Sequence, residues 1–496
     1  MGTSRCRLPT DDKAHRNLLF VSVCILIVLS STLGLQLTTH GHVEYTYCVV
    51  TAVVVLSSFA FLHRPFVTLS LTLAYLISPA PMVLPVTYSA AITLLLIVNC
   101  FAGGALASDL KIVFESRAVR IPLLLCSVAM TGAVLGIARG NQASTAVGDF
   151  YQIFEFAVLW LLTRQLIKTE ENFQALVHVI IGTIVVTSLL EMADALIGAQ
   201  YLAGISIAGN DLPRTINMNA PIAFVTLLAT LSFTRNRKWA LAGIGILSVN
   251  LLWSFTRGLW MATAASVFFL LLVQRGRSRR ALLKFVLVCS VIAIPLLFGL
   301  GLGSMVVDRL SFTAEQLGGP ALADEAEQTM AERRVLEYIL ILPHIAEHPV
   351  LGSGLGATFE ISGNAVLQGP KGEQVDHHYI HNLYLLIAFR LGIPILLVFL
   401  LALWKYFRWA IRNLRTPDLS PKNTSLMTGL VAVMFGEVLL SLTSPTFLNH
   451  PTAGVLGCIA ALTTSTFSTK LTLKMLRPSI GCDGNLYSQP IGGGLL

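Results

Sequence analysis

Charge is scarce in this chain. Of its 496 residues only 12% are Asp, Glu, Lys or Arg, against about 25% in an ordinary soluble protein. Hydrophobic residues make up 54% and the mean hydropathy is +0.73. A soluble multidomain protein is excluded, and the bulk of the chain belongs in lipid. Paired cysteines are lacking too. The eight cysteines, Cys6, Cys24, Cys48, Cys100, Cys126, Cys289, Cys458 and Cys482, fall mostly inside apolar runs, and no CxxC occurs. That argues against a disulfide framework or a zinc ribbon. No internal repeat is present. The basic residues are spread over short loops with no basic-aromatic patch, so nucleic acid is not an expected partner. The start, MGTSRC, resembles a myristoylation signal but has Cys6 where Ser or Thr is required.

What is present is a succession of long apolar runs. A membrane helix needs about 20 mainly apolar residues. Fourteen candidates are found: 17–38, 45–63, 66–80, 84–105, 120–138, 149–167, 174–198, 219–234, 238–255, 257–274, 281–303, 383–407, 425–447 and 452–469. The third and eighth are short, which leaves about 12–14. The first is too long for a signal-peptide core of about 7–15 residues and reads as a retained span. The expected fold is an all-α polytopic membrane protein. Residues 1–303 form an N-terminal bundle of about eleven helices, 304–382 one long outer loop, 383–469 the C-terminal helices and 470–496 a cytoplasmic tail, Gly-rich and disordered near its end.

Charge orients the spans. Cytoplasmic loops collect Lys and Arg. With the N-terminus inside, 26 of the 34 basic residues fall on the inner side. The long loop then lies outside. Within it, 327–346 (EQTMAERRVLEYILILPHIA) predicts a helix, polar at first and then apolar at Leu336, Leu340 and Ile341, with Pro343 near its end. Such a helix can lie on a membrane surface or cap a cavity.

The basic residues that break the rule are informative. Arg139 ends the fifth span, Arg214 lies in the loop 199–218, and Arg257 opens the tenth span. Arg390 sits about seven residues into the twelfth, roughly 10 Å below the interface at 1.5 Å per residue. All four are placed in the outer half of the membrane, where an arginine is costly and faces a cavity or a partner. Glu155, Glu191, Asp194 and Glu437 are the acids at matching depths. Any one arginine is explained as well by a structural ion pair, such as Arg390 with Glu437 or Glu155. The whole set favours an outward-facing cavity. Guanidinium groups bind phosphate through two parallel hydrogen bonds and stay charged, which suits a diphosphate.

His377, His378 and His381 end the long loop beside the same cavity. A zinc site is conceivable, since His377 and His381 are four residues apart with Asp376 adjacent, but HExxH is missing. Plain interfacial histidines are a second reading. A catalytic or substrate-binding histidine is the third, with His381 preferred because imidazole accepts a proton near neutral pH. Gly352 to Gly356, GSGLG, is not a nucleotide loop. Ala357 stands where GxGxxG needs glycine, and the stretch follows a helix rather than a strand. A tight turn returning the loop to the membrane explains it better.

Three stretches together resemble the O-antigen ligase and O-antigen polymerase superfamily. SFTRGLW (254–260) is similar to the family's Ser-x-x-Arg-Gly start of a span. RVLEYILILPHIAEHPVLGSGLGATF (334–359) is similar to its Arg-led helix and His-Pro-x-x-Gly-x-Gly-x-Gly. HNLYLLIAFRLGIP (381–394) resembles its His-Asn-x-x-Leu start, closing on Leu-Gly-Ile. The long outer loop before that start is the family's layout. Tyr338, where the family often has Trp, and Arg390, where an acid is common, depart from the pattern.

The resemblance implies a GT-C-like helical fold in the bacterial inner membrane, with both termini cytoplasmic and the active site periplasmic. It implies a polyprenyl-diphosphate-linked glycan as donor. The acceptor hydroxyl would belong to lipid A-core in a ligase, or to another lipid-linked unit in a polymerase. No cofactor, metal or nucleotide sugar is expected. His381 and Arg257 match the catalytic positions. Arg214, Arg139, Arg334, Asn382 and His378 are the candidates for substrate binding. A transporter of lipid or polysaccharide is the rival from another class. It would also carry intramembrane charges, but transporters often show matching broken helices, and their charges lie near the midplane.

Overall fold

A computed structural model describes residues 54–55, 64–78, 86–102, 117–197, 217–234, 236–254, 256–299, 330–359, 380–415, 419–449 and 451–465. The expected span 17–38, nearly all of 45–63, most of the long loop, and the tail lie outside the described residues. The rest is helical: α1 Pro65–Ile77, α2 Val86–Ala102, α3 Arg117–Ala138, α4 Ala143–Leu166, α5 Glu170–Ile197, α6 Ala220–Thr230, α7 Arg237–Trp253, α8 Arg257–Val273, α9 Gly276–Gly299, α10 Met330–Glu347, α11 Leu383–Leu391, α12 Ile393–Asn413, α13 Pro421–Leu440 and α14 Thr452–Thr464. Among the described residues five stretches are long and apolar enough to cross a membrane: Arg120–Ala138, Ala143–Leu166, Glu170–Ala193, Ile393–Asn413 and Pro421–Leu440. The chain is an all-α polytopic membrane protein.

A helix that is apolar all round belongs in the centre of a bundle. Helix α14 is buried at every residue from Thr452 to Thr464, and α13 is buried along most of its length. Small residues let backbones close up, as usual between membrane helices. A side chain at Gly457 would fall on the Phe156 carbonyl of α4, and one at Gly436 on the Ala262 carbonyl of α8. Helix α12, by contrast, buries only Tyr406, Ala410 and Asn413 and presents Leu397, Leu401 and Trp404 outward, the pattern of a lipid-facing helix. Several hydroxyls inside the spans bond a carbonyl of their own helix: Thr226 donates to Ile222 O at 2.6 Å and Ser266 to Ala262 O at 2.8 Å. Lipid offers no alternative partner.

The two ends of the bundle differ. At one end Arg164 donates to Thr464 O at 2.9 Å, and Lys422 and Asn423 of α13 bond Gln174 of α5 at 3.1 and 2.8 Å. Arg237, Arg275, Arg279, Arg412 and Arg415 belong to the same helix ends. The opposite end holds the start of α8, the end of α13 and the start of α11.

One expected span is corrected. The stretch 383–407 is two helices rather than one. Gly392 separates them with φ of 87°, a backbone region that other residues avoid. A side chain there would fall on the Val350 carbonyl. Ile393 N donates instead to Pro349 O at 2.8 Å, and Pro394 sits in the first turn of α12. The docking of the loop after α10 therefore ends α11 after nine residues. The loop helix expected at 327–346 is present as α10.

Candidate active site

His381 is held where three segments meet. Its neighbour Asn382 caps α11, with Oδ1 accepting from Tyr384 N at 2.9 Å and Leu385 N at 3.1 Å. An Asn cap satisfies two of the amides that a helix start leaves without partners. The next amide, Leu383 N, donates to Ser441 O at 2.9 Å, and Tyr384 Oη donates to Val438 O at 2.7 Å. The start of α11 is thus fastened to the end of α13.

Helix α10 reaches the same place. Tyr338 Oη donates to Leu442 O at 2.9 Å. One residue earlier, Glu337 takes hold of His381 with both oxygens. Oε1 accepts from the His381 backbone N–H at 2.7 Å, and Oε2 lies 2.9 Å from Nδ1. The Glu337 side chain is 10% exposed and that of His381 42%. A largely buried carboxylate thus faces an imidazole that solvent or a ligand can reach. A carboxylate has no proton to give, so the bond assigns the hydrogen to Nδ1 and makes Nε2 the acceptor nitrogen.

The tenth span opens at the same end of α13. Gly258 packs against α13, where an added side chain would meet Leu440 at 3.0 Å and Thr443 at 3.1 Å. Trp260 Nε1 donates to Leu251 O at 2.6 Å and Ser254 Oγ to the same carbonyl at 2.7 Å, closing the turn between α7 and α8. The backbone of Arg257 therefore starts at the same end of α13 that receives His381. Its side chain lies outside the described residues, as does that of Arg334, which stands one turn before Glu337 in α10. Arg214, His377 and His378 are outside them altogether.

The other arginines do something different. Arg390 is buried and pairs with Asp149 of α4, Nη1 to Oδ2 at 2.9 Å. This corrects the expected pairing with Glu437 or Glu155. Glu155 instead accepts from Tyr151 Oη at 3.0 Å, and Glu437 is buried on α13 beside Thr446. Glu191 accepts from Asn250 Nδ2 at 3.2 Å, and the Asp194 side chain lies outside the described residues. Asp149 also accepts from Gly356 N at 2.8 Å, so the pair clamps the GSGLG loop. The loop is stitched on every side. Ser353 N and Gly354 N donate to Phe389 O and Arg390 O at 2.7 and 2.9 Å, and Leu355 N to Gly132 O at 2.9 Å. Asn141 Nδ2 donates to the Ser353 and Leu355 carbonyls, both at 3.1 Å, and Arg139 donates to Gly352 O. Glycine is needed at 354, where φ is 87° and a side chain would fall on the Gly136 backbone. This loop is the tight return turn that the sequence suggested.

The structure therefore sets His381 and the start of α8 against the same end of α13, and adds Glu337 beside His381. It sets Arg139 and Arg390 at the far end of α11, about 13 Å along the helix axis at 1.5 Å per residue, with both engaged in holding the loop. Asn382 is engaged in capping. Sequence reasoning missed Glu337 and Asp149. Glu337 was visible only as one of several acids in an amphipathic helix. Asp149 was set at the first residue of a span that in fact begins six residues earlier, at Ala143.

No curated protein matches the chain. Residues 242–400 match the family model described as O-Antigen ligase. The match takes in SFTRGLW, α10, the glycine loop and α11. With Arg257, Glu337 and His381 all inside the matched segment, it is this domain of the membrane protein that is similar to the O-antigen ligase family.

Proposed function

We propose that this membrane enzyme transfers a glycan from a polyprenyl-diphosphate donor to an acceptor hydroxyl at the periplasmic face, without a metal. The observation that carries the reading is the grip of Glu337 on His381 at the end of α13 where Arg257 begins its helix. Sidedness is supported by the basic residues gathered at the opposite end, since such residues stay in the cytoplasm.

In this scheme the acceptor hydroxyl approaches Nε2 of His381. Its oxygen bonds to the anomeric carbon while the bond from that carbon to the diphosphate oxygen breaks. The electron pair leaves with the diphosphate, and the hydroxyl proton passes to Nε2. Glu337 keeps Nδ1 protonated and stabilises the imidazolium that forms, as an orienting carboxylate does in other catalytic pairs. Arg257, with Arg214 and Arg334, supplies the fixed positive charge that meets the leaving diphosphate. His378 is assigned to the acceptor side. The roles proposed for Arg139 and Asn382 are indirect: they hold the loop and the helix that frame the site. The lipid tail stays in the bilayer while its head enters the site.

The test is reconstitution of the purified chain in proteoliposomes with a polyprenyl-diphosphate-linked glycan, with and without lipid A-core, in the presence of EDTA. A glycan joined to lipid A-core identifies a ligase. A lengthened lipid-linked glycan identifies a polymerase of the same superfamily. Translocated donor with no new glycosidic bond would replace the reading with transport.

A further inference from the structure

The basic end of the bundle holds a second site, unrelated to the chemistry above. Helices α8, α9, α12 and α13 surround a cavity of about 850 Å³ there, within the range of small-molecule sites. Its wall combines two kinds of surface. Phe269, Leu272, Ile411 and Leu414 form an apolar side. Arg275, Arg415, Ser278 and Thr424 form a polar one. Among the described residues no acidic side chain lines it. Both guanidinium groups are exposed, and neither has a carboxylate partner among the described residues. The first turns of α9 and α13 also border the space, through Ser278 and through Pro421 and Thr424. They add the positive ends of helices 24 and 20 residues long. Arg415 stands two residues beyond α12, whose outer face is bare to lipid.

We propose that this cavity binds an anionic phospholipid of the leaflet that this end faces. The phosphate sits between Arg275 and Arg415, with Ser278 donating to it, and an acyl chain lies along Phe269, Leu272 and Ile411. Two guanidiniums converging on one space match a phosphate by geometry as well as charge, and basic pockets between membrane helices on the cytoplasmic side hold lipid head groups in this way. The apolar half of the wall selects a lipid over a free phosphate. Nothing in the site serves the transfer reaction at the other end, so its role is to fix the α8–α9 turn against α12 and α13.

Native mass spectrometry of the purified full chain tests this, after exchange into vesicles of equal phosphatidylglycerol and phosphatidylcholine with identical acyl chains. The wild type is expected to retain phosphatidylglycerol at least tenfold over phosphatidylcholine. R275A/R415A should abolish the preference, and R275K/R415K should restore most of it. Ser278→Trp, which fills the mouth without removing charge, should abolish it as well. R279A/R280A removes the same charge from exposed residues outside the lining and should leave the preference intact. Equal loss in R279A/R280A would mean diffuse surface attraction and would overturn the site. So would an unchanged preference in R275A/R415A, or displacement of the lipid by millimolar inorganic phosphate. None of these outcomes depends on glycan transfer.

Discussion

Replacing Glu337 by Gln should silence the enzyme without unfolding it. Glu337 receives two donors, the backbone N–H of His381 at 2.7 Å and Nδ1 at 2.9 Å. Gln keeps the shape but offers one acceptor and one donor. The backbone N–H cannot change, so the amide oxygen turns to it and the NH₂ faces Nδ1. Nδ1 must then accept, which moves the ring proton to Nε2. The nitrogen that should take the acceptor's proton already carries one. The charge-assisted bond that stabilises imidazolium is also gone, a loss of about 1.5–3 kcal/mol. At about 1.4 kcal/mol per decade, kcat should fall about 10- to 150-fold from that bond alone, and further from the wrong tautomer. KM for the donor should barely move, because Glu337 touches His381 and not the diphosphate. Both hydrogen bonds survive in altered form, so Tm should stay within a few degrees. Single-turnover transfer in proteoliposomes together with a thermal melt reads both quantities. Wild-type kcat in Glu337→Gln would refute the orienting role. A large fall in Tm would show instead that Glu337 merely staples α10 to the bundle.

His381→Ala and Arg257→Ala should each abolish transfer while membrane insertion stays normal, read by product formation alongside protease accessibility of the loops. Arg390→Ala should cost about 3–5 kcal/mol, because it strands Asp149 in a buried site; combining Arg390→Met with Asp149→Leu, which removes both charges together, should recover much of the lost Tm. Gly354→Ala combines a left-handed φ, worth about 1–2 kcal/mol, with a clash against the Gly136 backbone, and should appear as reduced folded yield on size-exclusion chromatography.

The apolar runs announced most helices to within a few residues, because in lipid the length of a span is dictated by the bilayer. Hydropathy could not reveal that Leu391, Gly392 and Ile393 end one helix and start another. The three read as one greasy stretch. The break comes from Pro349 and Val350, more than forty residues upstream, although Gly followed by Pro394 was a local hint. The same limit applied to Arg390. Its charge demanded a partner, and Glu437 and Glu155 were offered by depth alone. Depth does not say which face of a helix a residue occupies, and Asp149 occupied the right one. His381 and Arg257 were singled out because His-Asn before a span and Ser-x-x-Arg-Gly at the head of another are local patterns. Glu337 was not, since the fold of the intervening loop decides which acid of α10 meets the imidazole.

The stitched glycine loop also dictates when the protein can become competent during its synthesis. Gly132, Arg139, Asn141 and Asp149 leave the ribosome some two hundred residues before Gly352 to Gly356, and Phe389 and Arg390 leave it later still. The strap can seat only after both sides of its slot exist. An early half of the chain must therefore wait in the bilayer, with Asp149 lacking its Arg390 and Gly356 contacts, until the last third has been threaded in.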